Sequence, residues 1–144
     1  MPVVEIQIQD RRFWRLICPK SFCRRIIKTA WAGNPDVEIS LVLANDDFVH
    51  RLNKQYRGKD KPTNVLSFEN EGMCAGDIVI AYGVLAQEAK EQKKTFRAHL
   101  AHLLVHGTLH LQGYDHLTEK QAQKMECLET KIMKKLGYPN PYKE

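Results

Sequence analysis

The sequence holds 144 residues, 43% hydrophobic and 27% charged, with a formal net charge of +5 and a pI of about 9.0. That length suits one domain, residues 1–144, able to bury a core without disulfides. No apolar run approaches the roughly 18 residues of a membrane span. The leading segment lacks an apolar signal-like stretch, so the expected compartment is the cytoplasm, with no membrane partner. A basic balance suits an anionic partner but decides little alone. Cys18, Cys23, Cys74 and Cys127 form no CxxC pair and read as reduced, mostly buried thiols.

Taken in chain order, residues 3–9 (VVEIQIQ) alternate apolar and polar as a strand does. Ser21 is placed to cap a helix to about Ala32, with Phe22, Ile26, Ile27 and Ala30 on one face and Gly33-Asn34-Pro35 as its stop. Residues 37–44 form a second strand. Asn45 caps a second helix whose apolar stripe is Phe48, Leu52 and Tyr56, interrupted by Gly58 and Pro62. NVLSFE and GDIVIA are two further strands, and the intervening NEGMCAG is short enough for an antiparallel hairpin.

From Val84 to about Gln112 runs a long helical pattern, charged at first and apolar later, with room for a break near Thr95. Gly113 ends it. Thr118 opens a final helix to about Leu136, stopped by Gly137 and Pro139. There are no repeats, linkers or low-complexity segments. The expected fold is α/β with α+β character: a small mixed four-stranded sheet packed with about four to five helices, and a metal site at the end of the long helix.

The metal site rests on HLLVHGTLHLQGYDH, residues 102–116. His106 and His110 lie one turn apart on one helix face, where two imidazoles can converge on one ion. Gly113 supplies the permissive backbone for a chain that turns back and delivers His116. Three imidazoles with an open fourth position point to one catalytic Zn²⁺ per chain, with nickel or iron also compatible. His102 lies a turn before His106, and His99 about 10 Å along the axis, so neither is a fourth ligand. His102 is either a partner of a ligand and proton shuttle or a packed histidine. Asp115 either orients an imidazole or caps the last helix, and Asp77 reads as a turn or strand-start residue.

The spacing HxxxHxxGxxH matches the metzincin protease motif HExxHxxGxxH, but Gly107 stands where those enzymes carry glutamate. That glutamate deprotonates water and delivers a proton to the leaving amine. Its absence disfavours peptide hydrolysis and is expected to leave room beside the metal. Three neutral imidazoles preserve the full charge of a divalent ion, which lowers the pKa of coordinated water to about 7 and attracts anions. A phosphodiester suits that site, and no organic cofactor is needed.

HGTLHLQGYDH, together with LNKQYRGKDKPTNVLSF and GDIVI, resembles the YbeY family of bacterial metal-dependent endoribonucleases, most densely from Leu41 to Leu117. The resemblance implies a single α/β domain, zinc on His106, His110 and His116, and a catalytic centre that includes Arg57 and His110. It further implies a single-strand-specific endoribonuclease acting in small-subunit ribosomal RNA 3′-end maturation and ribosome quality control, with ribosomal RNA and the ribosome or its small subunit as partners. Read as chemistry, Arg57 closes a helix, and with Lys59 and Lys61 it forms either a phosphate-gripping cluster or a solvated loop. Two other readings stay open: an RNA- or ribosome-binding assembly factor with a structural zinc, and a protease with a remote carboxylate as base.

Overall fold

A computed structural model describes residues 2–69 and 74–142, except the side chain of Cys74. The elements are β1 (Val3–Ile8), a 3-10 turn (Arg11–Arg15), α1 (Pro19–Ala30), β2 (Glu38–Ala44), α2 (Asp46–Arg57), β3 (Val65–Glu69), β4 (Cys74–Ala81), α3 (Tyr82–Glu91), α4 (Phe96–Leu111) and α5 (Glu119–Lys135). The sheet order is β1-β2-β4-β3. The first two pairings are parallel, and β3 runs antiparallel to β4 from Val65↔Ile80 to Glu69↔Gly76. The mixed four-stranded sheet is therefore the one the sequence pattern predicts. Residues 70–73 of the expected hairpin loop lie outside the described residues.

Alternation sorts the strand residues between two apolar clusters. Ile6, Ile39, Leu41, Leu43, Ile78 and Ile80 join the large core formed with α1, α3, α4 and α5. Ala44, Leu66, Val79 and Ala81 form a smaller cluster with Val49 of α2. Helix α4 is the central member of the large core. Leu100, Ala101, Leu104 and Val105 are wholly excluded from solvent, which explains why its second half reads as apolar nearly all round.

The helix boundaries follow from caps. The Asn45 side chain accepts from the Phe48 N–H at 2.8 Å, and Gly58 stops α2 with φ +68. Thr118 and Gln121 form a capping box at the start of α5. The long pattern from Val84 is two helices, α3 beginning at Tyr82 and α4 at Phe96. They are separated where Lys93 adopts φ +56 and Thr95 caps α4 through the Ala98 N–H at 3.0 Å. Helix α1 starts at Pro19, ahead of the expected Ser21, after Cys18 in the left-handed region and without a side-chain cap; the preset φ of proline serves the first turn instead.

Further expectations need correction. Tyr56 is not part of a buried stripe: it is exposed and meets the Phe68 ring edge-on at 5.6 Å between centroids. Buried Asn53 instead ties the loop after α2 to the helix, donating from Nδ2 to Lys61 O at 2.8 Å. Asp77 sits within β4 opposite Phe68, not at a turn. Of the described free thiols, Cys18 and Cys127 are exposed and Cys23 is buried. Burial pushes the Cys23 thiol up to about 12, so it is inert at neutral pH. Among the described residues no helix is long and apolar enough to cross a membrane.

Gly107 lets α4 lie directly on β3 and β4. A Cβ built there would stand 3.1 Å from Ser67 Oγ and 3.2 Å from Ile78 Cγ2. Gly107→Val should therefore cost about 1–3 kcal/mol through overpacking, read as a lower urea midpoint with an unchanged m-value. A midpoint equal to or above the wild type would show that the helix can withdraw from the sheet freely.

Candidate metal centre

The last turn of α4 and the bend beyond it bring three imidazoles together. The Gly113 N–H reaches His110 O at 3.0 Å and the Tyr114 N–H reaches Leu109 O at 3.2 Å, a turn that Gly113 permits with φ +92. The chain then doubles back, and His106, His110 and His116 each offer one nitrogen within 4.8 Å of the others. His106 and His110 are half-buried and His116 is exposed. The Nε2 atoms of His106 and His110 face each other at 3.1 Å, whereas tetrahedral ligands at about 2.0–2.1 Å from a zinc ion lie about 3.3 Å apart. The donor set and its spacing thus fit a divalent transition metal. Among the described residues no fourth His, Cys, Asp or Glu joins the cluster.

The orientation of His106 comes from a residue that the sequence reading missed. Glu129 of α5 is fully buried. Its Oε1 accepts from His106 Nδ1 at 2.8 Å, and its Oε2 accepts from His102 Nε2 and from the Tyr142 hydroxyl, both at 2.5 Å. A carboxylate only accepts, so the His106 proton resides on Nδ1 and the Nε2 lone pair faces the cluster. Burial drives the Glu129 carboxyl toward the neutral form. The hydrogen bonds from His102, His106 and Tyr142 outweigh it and bring the pKa down to about 2. The same burial, with Glu129 beside it, raises the Tyr142 phenol. A signal was present: Glu129 interrupts the stripe Met125, Glu129, Met133 at i, i+4, i+8, where an acid is otherwise out of place.

His110 is also prepared for ligation. Burial lowers its pKa, helped by neighbouring His106 and His116 and opposed by Asp115, and metal ligation requires the neutral imidazole. His102 is held by Glu129 and packs edge-on to Tyr142, with centroids 5.3 Å apart. Asp115 does not cap α5, a role that Thr118 fills; its Oδ1 accepts from the His116 backbone N–H at 2.8 Å, and its charge acts on the neighbouring His110 imidazole. His99 pairs with Glu88 at 2.9 Å, away from the cluster. A cavity of about 850 Å³ shares only His102 and Tyr142 with this network and includes none of the three clustered histidines.

Arg57 stands exposed at the end of α2. Its Nη2 donates to Ser67 O on the edge strand β3 at 3.1 Å, and its guanidinium lies 5.9 Å from the Phe68 ring centroid. Ser67 Oγ in turn donates to Gly107 O at 3.4 Å, beside His106 in sequence. Two contacts thus link Arg57 to the histidine helix. Lys59 and Lys61 are exposed and have no such link, and Asp60 between them is paired with His50 at 2.6 Å. The expectation that Gly107 leaves room beside the metal fails, because its missing side chain faces Ser67, Ile78 and Val65 of the sheet.

The Glu129 pKa sets a pH dependence. Its folded value lies below its unfolded value of 4.5, so its stabilisation is complete above about 4.5 and is lost as pH falls toward about 2. Metal-stripped wild type should lose stability across that window, and Glu129→Gln, less stable at neutral pH, should converge with it at the acid end. A stability difference that does not change with pH would contradict the assignment of that charge.

A family model described as "Endoribonuclease YbeY" matches residues 16–137. An endoribonuclease YbeY of Methylocella silvestris is 41% identical over 99% of this chain and 87% of its own length. One from Magnetococcus marinus is 48% identical over 78% of this chain and 86% of its own. Among solved structures, the solution structure of TM1509 from Thermotoga maritima superposes with a TM-score of 0.56 at 25% identity, covering 99% of this chain and 100% of that one.

Proposed function

The chain belongs to the endoribonuclease YbeY family, and from that premise we propose that it is a zinc-dependent, single-strand-specific endoribonuclease. Its hydrolysis of RNA phosphodiesters would serve small-subunit ribosomal RNA 3′-end maturation and ribosome quality control in the cytoplasm, with residues 1–144 acting as one domain. The observation that carries the reading is the three-histidine cluster with His106 Nε2 turned inward by the Nδ1 bond to Glu129.

A zinc ion on His106, His110 and His116 would supply concentrated positive charge and a means of activating water. The protein's own part is positional. Glu129, held by His102 and Tyr142, keeps His106 in one tautomer, and Asp115 fixes the His116 backbone. Arg57 donates one N–H to Ser67 O, and its other N–H groups remain to fork onto a phosphate as charge develops. Lys59 and Lys61 are exposed enough to meet neighbouring phosphates. The half-buried to exposed histidines give a flexible single strand direct access.

The protein ligands number three among the described residues, which favours a catalytic over a structural metal. The protease alternative needs a remote carboxylate as base, but among the described residues no Asp or Glu joins the histidine cluster, and Glu129 is fully buried and taken up by His102, His106 and Tyr142.

The test compares single-stranded with duplex ribosomal RNA, using purified protein of known metal content. Elemental analysis should give about one zinc per chain, and His110→Ala should lose both metal and cleavage, since ligand binding is partly folding energy. Arg57→Ala should cut cleavage by about 10²-fold while metal content stays and stability moves within about 0.5 kcal/mol. Cleavage at the wild-type rate in Arg57→Ala, or full metal retention in His110→Ala, would overturn the corresponding role.

A further inference from the structure

The chain's whole formal charge of +5 resides in residues 1–35, which hold seven Lys or Arg and two Asp or Glu, whereas 36–144 hold fifteen of each. Helix α1 concentrates it. Cys23, Ile26, Ile27 and Ala30 point into the core, so at 100° per residue Arg24, Arg25 and Lys28 share the opposite face. With Trp31, and with Lys135 from the end of α5, they line a groove of about 640 Å³ that no acidic side chain lines. Arg25, Lys28 and Lys135 have no ion-pair partner among the described residues. Arg24 makes a single 3.5 Å contact with Val4 O. Four clustered cations without counter-charge repel one another, and a polyanion relieves that repulsion by releasing its own counterions.

The groove also leads to the metal centre. Gln112, two residues beyond His110, donates from Nε2 to Ala30 O at 2.9 Å and accepts from the Ala32 N–H at 2.8 Å. The Trp31 end of α1 is thereby fastened to the histidine end of α4. Trp31 is half-buried, and its Nε1 donates to Asn34 O at 2.9 Å, which fixes the indole beside the cations. A row of cations ending in a fixed aromatic ring suits a single-stranded nucleic acid, which presents phosphates and unstacked bases together. We infer that the α1 groove, lined by Arg24, Arg25, Lys28, Lys135 and Trp31, binds the sugar-phosphate backbone of the RNA strand flanking the bond that is cut. The inference rests on the RNA-cleaving reading of the metal centre.

The test replaces three unpartnered cations in Arg25→Gln/Lys28→Gln/Lys135→Gln, with Lys90→Gln/Lys120→Gln/Lys131→Gln as a variant of equal net charge. Fluorescence anisotropy with a single-stranded RNA long enough to span groove and histidines is followed over a salt series, and cleavage of that RNA is compared with cleavage of a trinucleotide. The groove variant should bind the long RNA about ten-fold or more weakly, with a salt slope shallower by about 2, at about 0.7 per lost phosphate contact. Its KM should rise for the long RNA with kcat unchanged, and trinucleotide cleavage should match the wild type. An unchanged salt slope, an equal loss in the comparison variant, or a groove variant that loses binding to an acidic polypeptide but not to RNA would each overturn the inference. Anisotropy reads binding without cleavage. A wild type that binds the RNA in this groove but cuts none would therefore refute the endoribonuclease reading and leave the groove standing.

Discussion

The metal centre depends on one buried carboxylate. Glu129 has no exposure to solvent and receives hydrogen bonds from His102, His106 and Tyr142. Burying a charge is costly, and a hydrogen bond to a charged group is typically worth about 1.5–3 kcal/mol. The three donors must therefore stay together, which locks α4, α5 and the C-terminal turn in one arrangement. The hydrogen bond that His106 donates from Nδ1 to Glu129 is what leaves the Nε2 lone pair directed toward His110.

The sheet sets where that arrangement sits. Gly107 brings α4 against β3 and β4, and β3 is an edge strand, so its outward carbonyl at Ser67 is available to Arg57. The cation reaches the neighbourhood of the histidines through the edge strand, and from the other side α1 reaches it through Gln112. On the proposed endoribonuclease reading, Arg57 and the α1 groove would let electrostatic attraction both position the substrate and support the charge that develops on it.

Much of this was legible in the residues. Period-two runs marked the strands, cap residues Asn45 and Thr118 marked helix starts, the long pattern allowed a break near Thr95, and the uneven spacing of His106, His110 and His116 announced a helix end followed by a glycine turn. What stayed hidden was long-range. Glu129 lies 23 positions from His106, and only the apolar stripe it interrupts hinted at burial. The direction of Gly107 was misread because helix periodicity says which residues share a face, not which neighbour that face meets. Of the two roles open to Asp115, the helix cap falls to Thr118, and Asp115 bonds the His116 backbone instead, as short polar side chains readily do.

The central claim is that His106, His110 and His116 alone, of all protein groups, hold the ion, with His106 set by Glu129. X-ray absorption at the zinc edge of the purified protein addresses it directly. The account predicts three imidazole nitrogens at about 2.0 Å, no sulfur, and one further light atom from solvent. A spectrum showing a sulfur ligand or four imidazoles, or a protein that takes up no zinc, would contradict it.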